Sequence, residues 1–153
     1  MKARVQKKDS FVVAGFRGLV EPGEGMAQAW DDVAATLTAL DADLAMARRV
    51  GIIAGMTAEH KFDYMAGIFV ESKEDAQALG LNSATVPAGS FAVVEVSGPV
   101  PDSSLTGIDY LTGTFIPQNH LRPAGPVFEV YGQGDTTAPD YSMEVWMPVV
   151  PLP

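Results

Sequence analysis

Two short stretches near the end of the chain, Pro126-Val-Phe-Glu-Val-Tyr131 and Tyr141-Ser-Met-Glu-Val-Trp-Met-Pro148, decide how the rest is read. Each sets one acidic residue among apolar and aromatic neighbours, a composition that suits a β-strand. Successive side chains of a strand point to opposite faces. Glu129 and Tyr131 therefore share one face, and Phe128 and Val130 the other; Glu144 and Trp146 share a face, opposite Met143, Val145 and Met147. Joined as a hairpin across the Gly-rich gap, the two strands are expected to bring both carboxylates and both rings to one side. Such a lining suits a flat, apolar, positively charged guest.

Bulk properties narrow the classes. A chain of 153 residues, 47% of them hydrophobic, predicts one domain with a real core. No apolar run reaches the ~18–20 residues needed to span a bilayer. The basic start, Met1-Lys-Ala-Arg-Val-Gln-Lys-Lys-Asp9, has no signal-peptide apolar region, and the expectation is a cytoplasmic protein. With no cysteine, disulfides and thiolate metal sites are excluded. Lys plus Arg number 10 against 19 Asp plus Glu, a net charge of −9, which disfavours nucleic acid and anionic membrane as partners and attracts cations. The same charge serves solubility whatever the ligand.

Working outward, residues 1–10 read as a frayed polar lead-in. Phe11-Val-Val-Ala-Gly-Phe-Arg-Gly-Leu-Val20 reads as a strand and Glu21-Pro-Gly-Glu-Gly25 as a turn. Met26, Trp30, Val33, Leu37, Leu40 and Leu44 recur at helical spacing and predict a helix over 26–44 with that stripe in the core, while Asp31, Asp32, Thr38 and Asp41 fall mostly elsewhere. Strands follow at 50–55 and 62–70, a polar stretch with helical tendency at 71–79, and an edge strand at 82–89 that Pro87 keeps from a central position. A strand over 90–98 leads into a helix begun by Asp102 or Ser103 as cap and ended by Pro117. Residues 118–125 read as loop, and Pro148, Pro151 and Pro153 are expected to terminate the sheet.

The order strand, helix, strand, strand occurs twice, over 11–70 and 90–150. A βαββ unit cannot cover its own sheet. The predicted class is therefore α+β: duplicated βαββ units forming an antiparallel sheet, with two helices on one face and a central ligand groove. Aligning the halves sets Glu129 and Tyr131 against Ile52 and Ala54, and Glu144 and Trp146 against Tyr64 and Ala66. A pseudo-two-fold is then expected to bring Tyr64 opposite Glu144, with Ala54, Ala66 and Gly67 leaving room.

Several segments resemble one family. Val86-Pro-Ala-Gly-Ser-Phe-Ala-Val-Val-Glu-Val-Ser-Gly98, Pro126-Val-Phe-Glu-Val-Tyr131, Ser142-Met-Glu-Val-Trp-Met-Pro-Val149 and Lys61-Phe-Asp-Tyr-Met-Ala-Gly67 are together similar to GyrI-like, or AraC-type, effector-binding domains. The resemblance spans about residues 10–150 and implies a groove in which aromatic rings and a buried Glu bind lipophilic cations. That Glu carries over to Glu129, and its companions in the last strand to Glu144 and Trp146. The family's DNA-binding helix-turn-helix has no counterpart, so the resemblance implies a stand-alone form.

The ligand-binding set is thus Glu129, Tyr131, Glu144, Trp146, Tyr64, Phe16 and Trp30. Glu144 reads equally as solvated, Trp146 as packing, and Trp30 and Phe16 as core. His60 and His120 lie in separate loops without metal-ligand spacing, and no metal or cofactor is expected. The leading function is binding of lipophilic cationic or aromatic small molecules, for drug binding or sensing. One alternative is a hydrolase of strained electrophilic rings, with Glu129 orienting water and Tyr64 or Tyr131 as proton partner. Another is a gyrase-interacting inhibitor protein. A groove on one side of a sheet also admits closure by a second subunit, as a homodimer.

Overall fold

Runs of β-branched and aromatic residues broken by glycine and proline become strands here, and the two stretches with apolar residues at helical spacing become the main helices. The computed structural model describes residues 1–40, 42 and 47–153. Their elements are β1 (Ala3–Lys8), β2 (Phe11–Val20), α1 (Glu24–Ala39), β3 (Arg49–Met56), β4 (Phe62–Val70), α2 (Lys73–Ala78), β5 (Asn82–Val86), β6 (Gly89–Ser97), α3 (Asp102–Tyr110), α4 (Ile116–Gln118), β7 (Leu121–Pro123), β8 (Val127–Tyr131) and β9 (Ser142–Pro151). The class is α+β, and the strand pairings are antiparallel.

The chain divides into two compact units, Ser10–Pro87 and Met1–Asp9 with Ala88–Pro153. In the first, the strand order is β3-β4-β2-β5. α1 lies on one face of this sheet, where Val33 and Leu37 are buried against Ala14, Tyr64, Ala66 and Ile68. The helical stripe is real from Met26 to Leu37, but Leu40 is an exposed cap residue, 49% accessible, whose N–H donates to the Leu37 carbonyl. Leu44 and Asp41, the far end of the expected helix, lie outside the described residues. Phe16 pairs with Ala66 and Gly18 with Tyr64, so these side chains share the α1 face.

In the second unit the order is β1-β6-β9-β8. β7 pairs with Val149–Pro151 of β9, beyond the Met143–Trp146 segment that pairs with β8. α3 covers one face, over a core of Ala92, Val94, Val96, Met143, Val145 and Met147. Within each unit the order strand, helix, strand, strand recurs, as β2-α1-β3-β4 and β6-α3-β8-β9.

Five expectations about elements are corrected. The lead-in is a strand: Ala3–Lys8 pairs with Gly89–Val94, and only Ala3 and Val5 offered an apolar signal for it. Part of the 118–125 loop is the strand β7. Pro148 does not stop the sheet, since β9 continues to Pro151 and the Pro148 carbonyl accepts from the Ala124 N–H at 2.8 Å. Pro117 does not end the helix. A π-helical stretch, Leu111–Phe115, widens the coil ahead of it, and Pro117 falls in the first turn of α4, where its missing N–H is not needed. The cap of α3 is Pro101, and neither Asp102 nor Ser103 caps it. His60 and His120 occupy left-handed turn positions, with φ of 64° and 54°.

Candidate functional site

The register of β8 on β9 separates what alternation seemed to join. Directly opposed residues point to the same side of an antiparallel pair. Glu129 pairs with Val145 and Tyr131 with Met143, whereas Phe128 pairs with Trp146 and Val130 with Glu144. Glu129 and Tyr131 therefore lie on one face, and Glu144 and Trp146 on the other. The expected convergence of two carboxylates and two rings is corrected. A hairpin with residue 129 opposite 144 or 146 would have given it, and a one-residue change of register moves every side chain to the other face.

The alignment of the halves fails in the same way. Tyr64 is on the helix-covered face of its unit, paired with Gly18 and Ile53, while Glu144, its expected counterpart, is on the face opposite α3 in its own. Ile52 pairs with Met65 on the face away from α1, whereas Glu129 is on the α3 side. The aligned positions thus fall on opposite faces, so the correspondence of the halves is offset by an odd number of residues.

Glu129 lies beneath α3. Its partner Val145 packs under that helix: a Cβ added at Gly107 would meet Val96 at 2.8 Å and Val145 at 3.1 Å. The Glu129 side chain is only 4% accessible. Burial pushes its carboxyl above the ordinary range, and hydrogen bonds from Ser104 and Tyr131 act the other way. Tyr131 offers its hydroxyl to Oε1 at 3.5 Å, a long contact. Ser104 donates to the Pro101 carbonyl at 3.0 Å, and one hydroxyl proton cannot serve both acceptors, so burial prevails. Among the described residues no basic side chain pairs with Glu129. Ser104 is fully buried and its role was not legible beforehand; a serine near a helix start reads first as a cap.

On the opposite face Trp146 and Glu144 are engaged by their own unit. The Trp146 Nε1–H donates to Glu144 Oε1 at 3.0 Å, and the Lys8 ammonium sits 3.7 Å from a Trp146 ring centroid. Arg4 reaches Glu144 Oε2 at 3.3 Å. Phe91 stacks edge-on with both Phe128 and Trp146, at 6.0 and 6.3 Å between centroids. An aromatic ring beside a carboxylate did call for a cation, but the cations come from β1.

In the other unit Trp30 and Tyr64 form a pair: the indole N–H donates to the Tyr64 hydroxyl at 2.9 Å. Gly51 makes room for it, since a Cβ there would lie 2.5 Å from that hydroxyl. Tyr64 is 1% accessible, and Phe16 is partly buried beside the same core.

The duplicated βαββ architecture is the one that the resemblance to effector-binding domains implies. Residues 4–149 match the family Cass2, integron-associated effector binding protein, and the chain belongs to that family. The resemblance to GyrI-like effector-binding domains is thereby borne out. Among solved structures, SAV2435 bound to tetraphenylphosphonium is 23% identical, covers 98% of this chain and 94% of its own, and superposes with a TM-score of 0.71. The EcmrR C-terminal domain is 15% identical, with coverages of 99% and 98% and a TM-score of 0.75. The integron cassette protein VCH_CASS2, from the mobile metagenome of Vibrio cholerae, is 16% identical, with coverages of 97% and 95% and a TM-score of 0.62. At these identities the likeness is one of fold. No protein of curated function matches the sequence.

Proposed function

We propose that this effector-binding protein takes lipophilic organic cations, and that Glu129 is the residue that reads their charge. One observation carries the reading: a carboxyl 4% accessible, with its pKa raised by burial and no basic partner among the described residues. An isolated buried carboxylate costs several kcal/mol, so burial shifts Glu129 of the empty protein toward its neutral form. A cation brought beside it supplies the missing partner, and the carboxyl ionises as the guest binds. Neutral guests of the same shape gain nothing from that step. Tyr131 offers a ring next to the carboxyl, and cation–π contact is worth ~0.5–2 kcal/mol. The binding of tetraphenylphosphonium by SAV2435, a structure of the same fold, supports this choice of chemistry. The net charge of −9 enriches cations near the protein and disfavours nucleic acid, in keeping with a cytoplasmic binder or sensor that does not itself contact DNA.

The test is calorimetric titration of tetraphenylphosphonium and of neutral triphenylphosphine oxide into the wild type and Glu129→Gln. The cation is expected to bind the wild type at least tenfold more tightly than the variant, with the neutral compound indifferent to the change. Equal affinity of both proteins for the cation, or no binding by either, sinks the role given to Glu129.

A further inference from the structure

β1 ends the strand order of its unit, β1-β6-β9-β8, and among the described residues its only strand partner is β6. Pairing runs the whole length of the strand, from Ala3 opposite Val94 to Lys8 opposite Gly89. The backbone is therefore held in a regular ladder on one side, and alternate residues turn their N–H and C=O outward on the other. An open edge of this kind is a template for one more strand.

Charge decides which strand. Four of the ten Lys and Arg fall within the first eight residues, whereas all 19 Asp and Glu lie beyond them. Arg4 and Lys8 are engaged inside the unit, on Glu144 and Trp146. Lys2 and Lys7 are exposed, and among the described residues no carboxylate pairs with either. Val5 shares a face with Lys7 and is 47% accessible, although Ala92 opposite it is buried. The edge thus presents an open backbone, a half-covered apolar side chain and two ammonium groups without counter-ions, on a molecule that is otherwise acidic.

We propose that β1 is a docking edge for an extended acidic segment of another protein, which adds as a strand beyond β1 and sets an apolar residue beside Val5 and carboxylates beside Lys2 and Lys7. Main-chain bonds supply the attachment, and the side chains supply the selection. A second copy is rejected, because two β1 strands laid side by side bring like charges together. Nucleic acid and anionic membrane have no peptide backbone to continue the ladder, and the net charge of −9 repels both. The edge takes no part in the cation binding proposed for Glu129, which lies on β8, so each stands without the other.

The probe is a fluorescein-labelled hexapeptide of alternating glutamate and valine, titrated into the full chain and followed by anisotropy, with amide hydrogen exchange measured on the complex. Affinity is expected to fall at least fivefold when glutamine replaces glutamate in the peptide, and at least fivefold in the double variant Lys2→Gln, Lys7→Gln. Methylating the peptide nitrogens, which keeps every charge and removes the ladder donors, is expected to abolish binding. Exchange is expected to slow at β1 and not at β5, the edge strand of the other unit. No binding at 1 mM peptide, equal affinity for the wild type and the double variant, or undiminished binding of the methylated peptide overturns the assignment, and leaves the lysines as a guard against aggregation. Binding of oligothymidylate or of phosphatidylglycerol vesicles that the double variant abolishes, in place of peptide binding, also overturns it. So does sedimentation equilibrium in which the chain self-associates and the peptide dissociates it, which gives the edge to a second copy.

Discussion

Glu129 is a buried group whose ionisation bears on stability as well as on the proposed preference for cations. Its folded pKa lies above the unfolded value of ~4.3, so the folded chain holds a proton that the unfolded chain releases. Its contribution to stability is fully present below the unfolded pKa and is lost as pH rises through the folded one, by at most about 1.4 kcal/mol per pH unit. Asp63 beside Arg17 has a lowered pKa and titrates with the opposite sign, which is why the difference between two proteins is the useful quantity. Glu129→Gln is expected to melt higher than the wild type at pH 8, with the gap closing by pH 4. Thermal denaturation of both across that range checks it, and a gap that does not change with pH would remove the buried-proton account. Glu129 was legible because an acid in an apolar strand is conspicuous. Ser104 was not, because its place under the carboxyl depends on how α3 crosses the sheet.

Elements add constraints that single residues do not show. α3 crosses its sheet at Gly107, where a Cβ would meet Val96 at 2.8 Å, Val145 at 3.1 Å and Val94 at 3.4 Å. Helix propensity alone favours Gly107→Ala by ~1 kcal/mol. Overpacking a closed core costs ~1–3 kcal/mol, and these neighbours are stiff valines, so the steric effect wins. The variant is expected to lose ~1–2 kcal/mol by urea denaturation and to disturb Glu129, whose neighbour Val145 must give way; a gain in stability would contradict the close approach. Nothing in the local pattern of the helix before Pro117 marks Gly107 as a packing position. The π-helical stretch before Pro117 was equally hidden, since a proline in a helical pattern ordinarily signals an end.

For the molecule as a whole, the two units answer to different parts of the chain. Residues 1–9 belong with 88–153, through the pairing of β1 with β6, the Lys8 contact on Trp146 and the Arg4–Glu144 pair. Deleting residues 1–8 is therefore expected to lower the melting temperature by several degrees and shift Trp146 emission to the red, while amide exchange in β2 and β4 stays protected. Loss of protection in β2 and β4 to the same extent would argue against two separate units. The net charge of −9 acts at this scale too. Cation association is expected to slow between 20 and 500 mM salt, because steering is screened beyond a Debye length, and stopped-flow fluorescence measures it.

The amino-acid pattern by itself determined the strands other than β1 and β7, the two principal helices, their repeated order and the prominence of Glu129. Each of these rests on local periodicity, which short-range geometry dictates. Tertiary structure alone decided which faces meet. Strand register has a period of two, so a single residue of slip sent Glu144 and Trp146 away from Glu129, and no composition signals that slip. Long-range pairing likewise turned a polar lead-in into β1, whose Lys8 and Arg4 hold the ring and carboxylate that seemed to await a ligand.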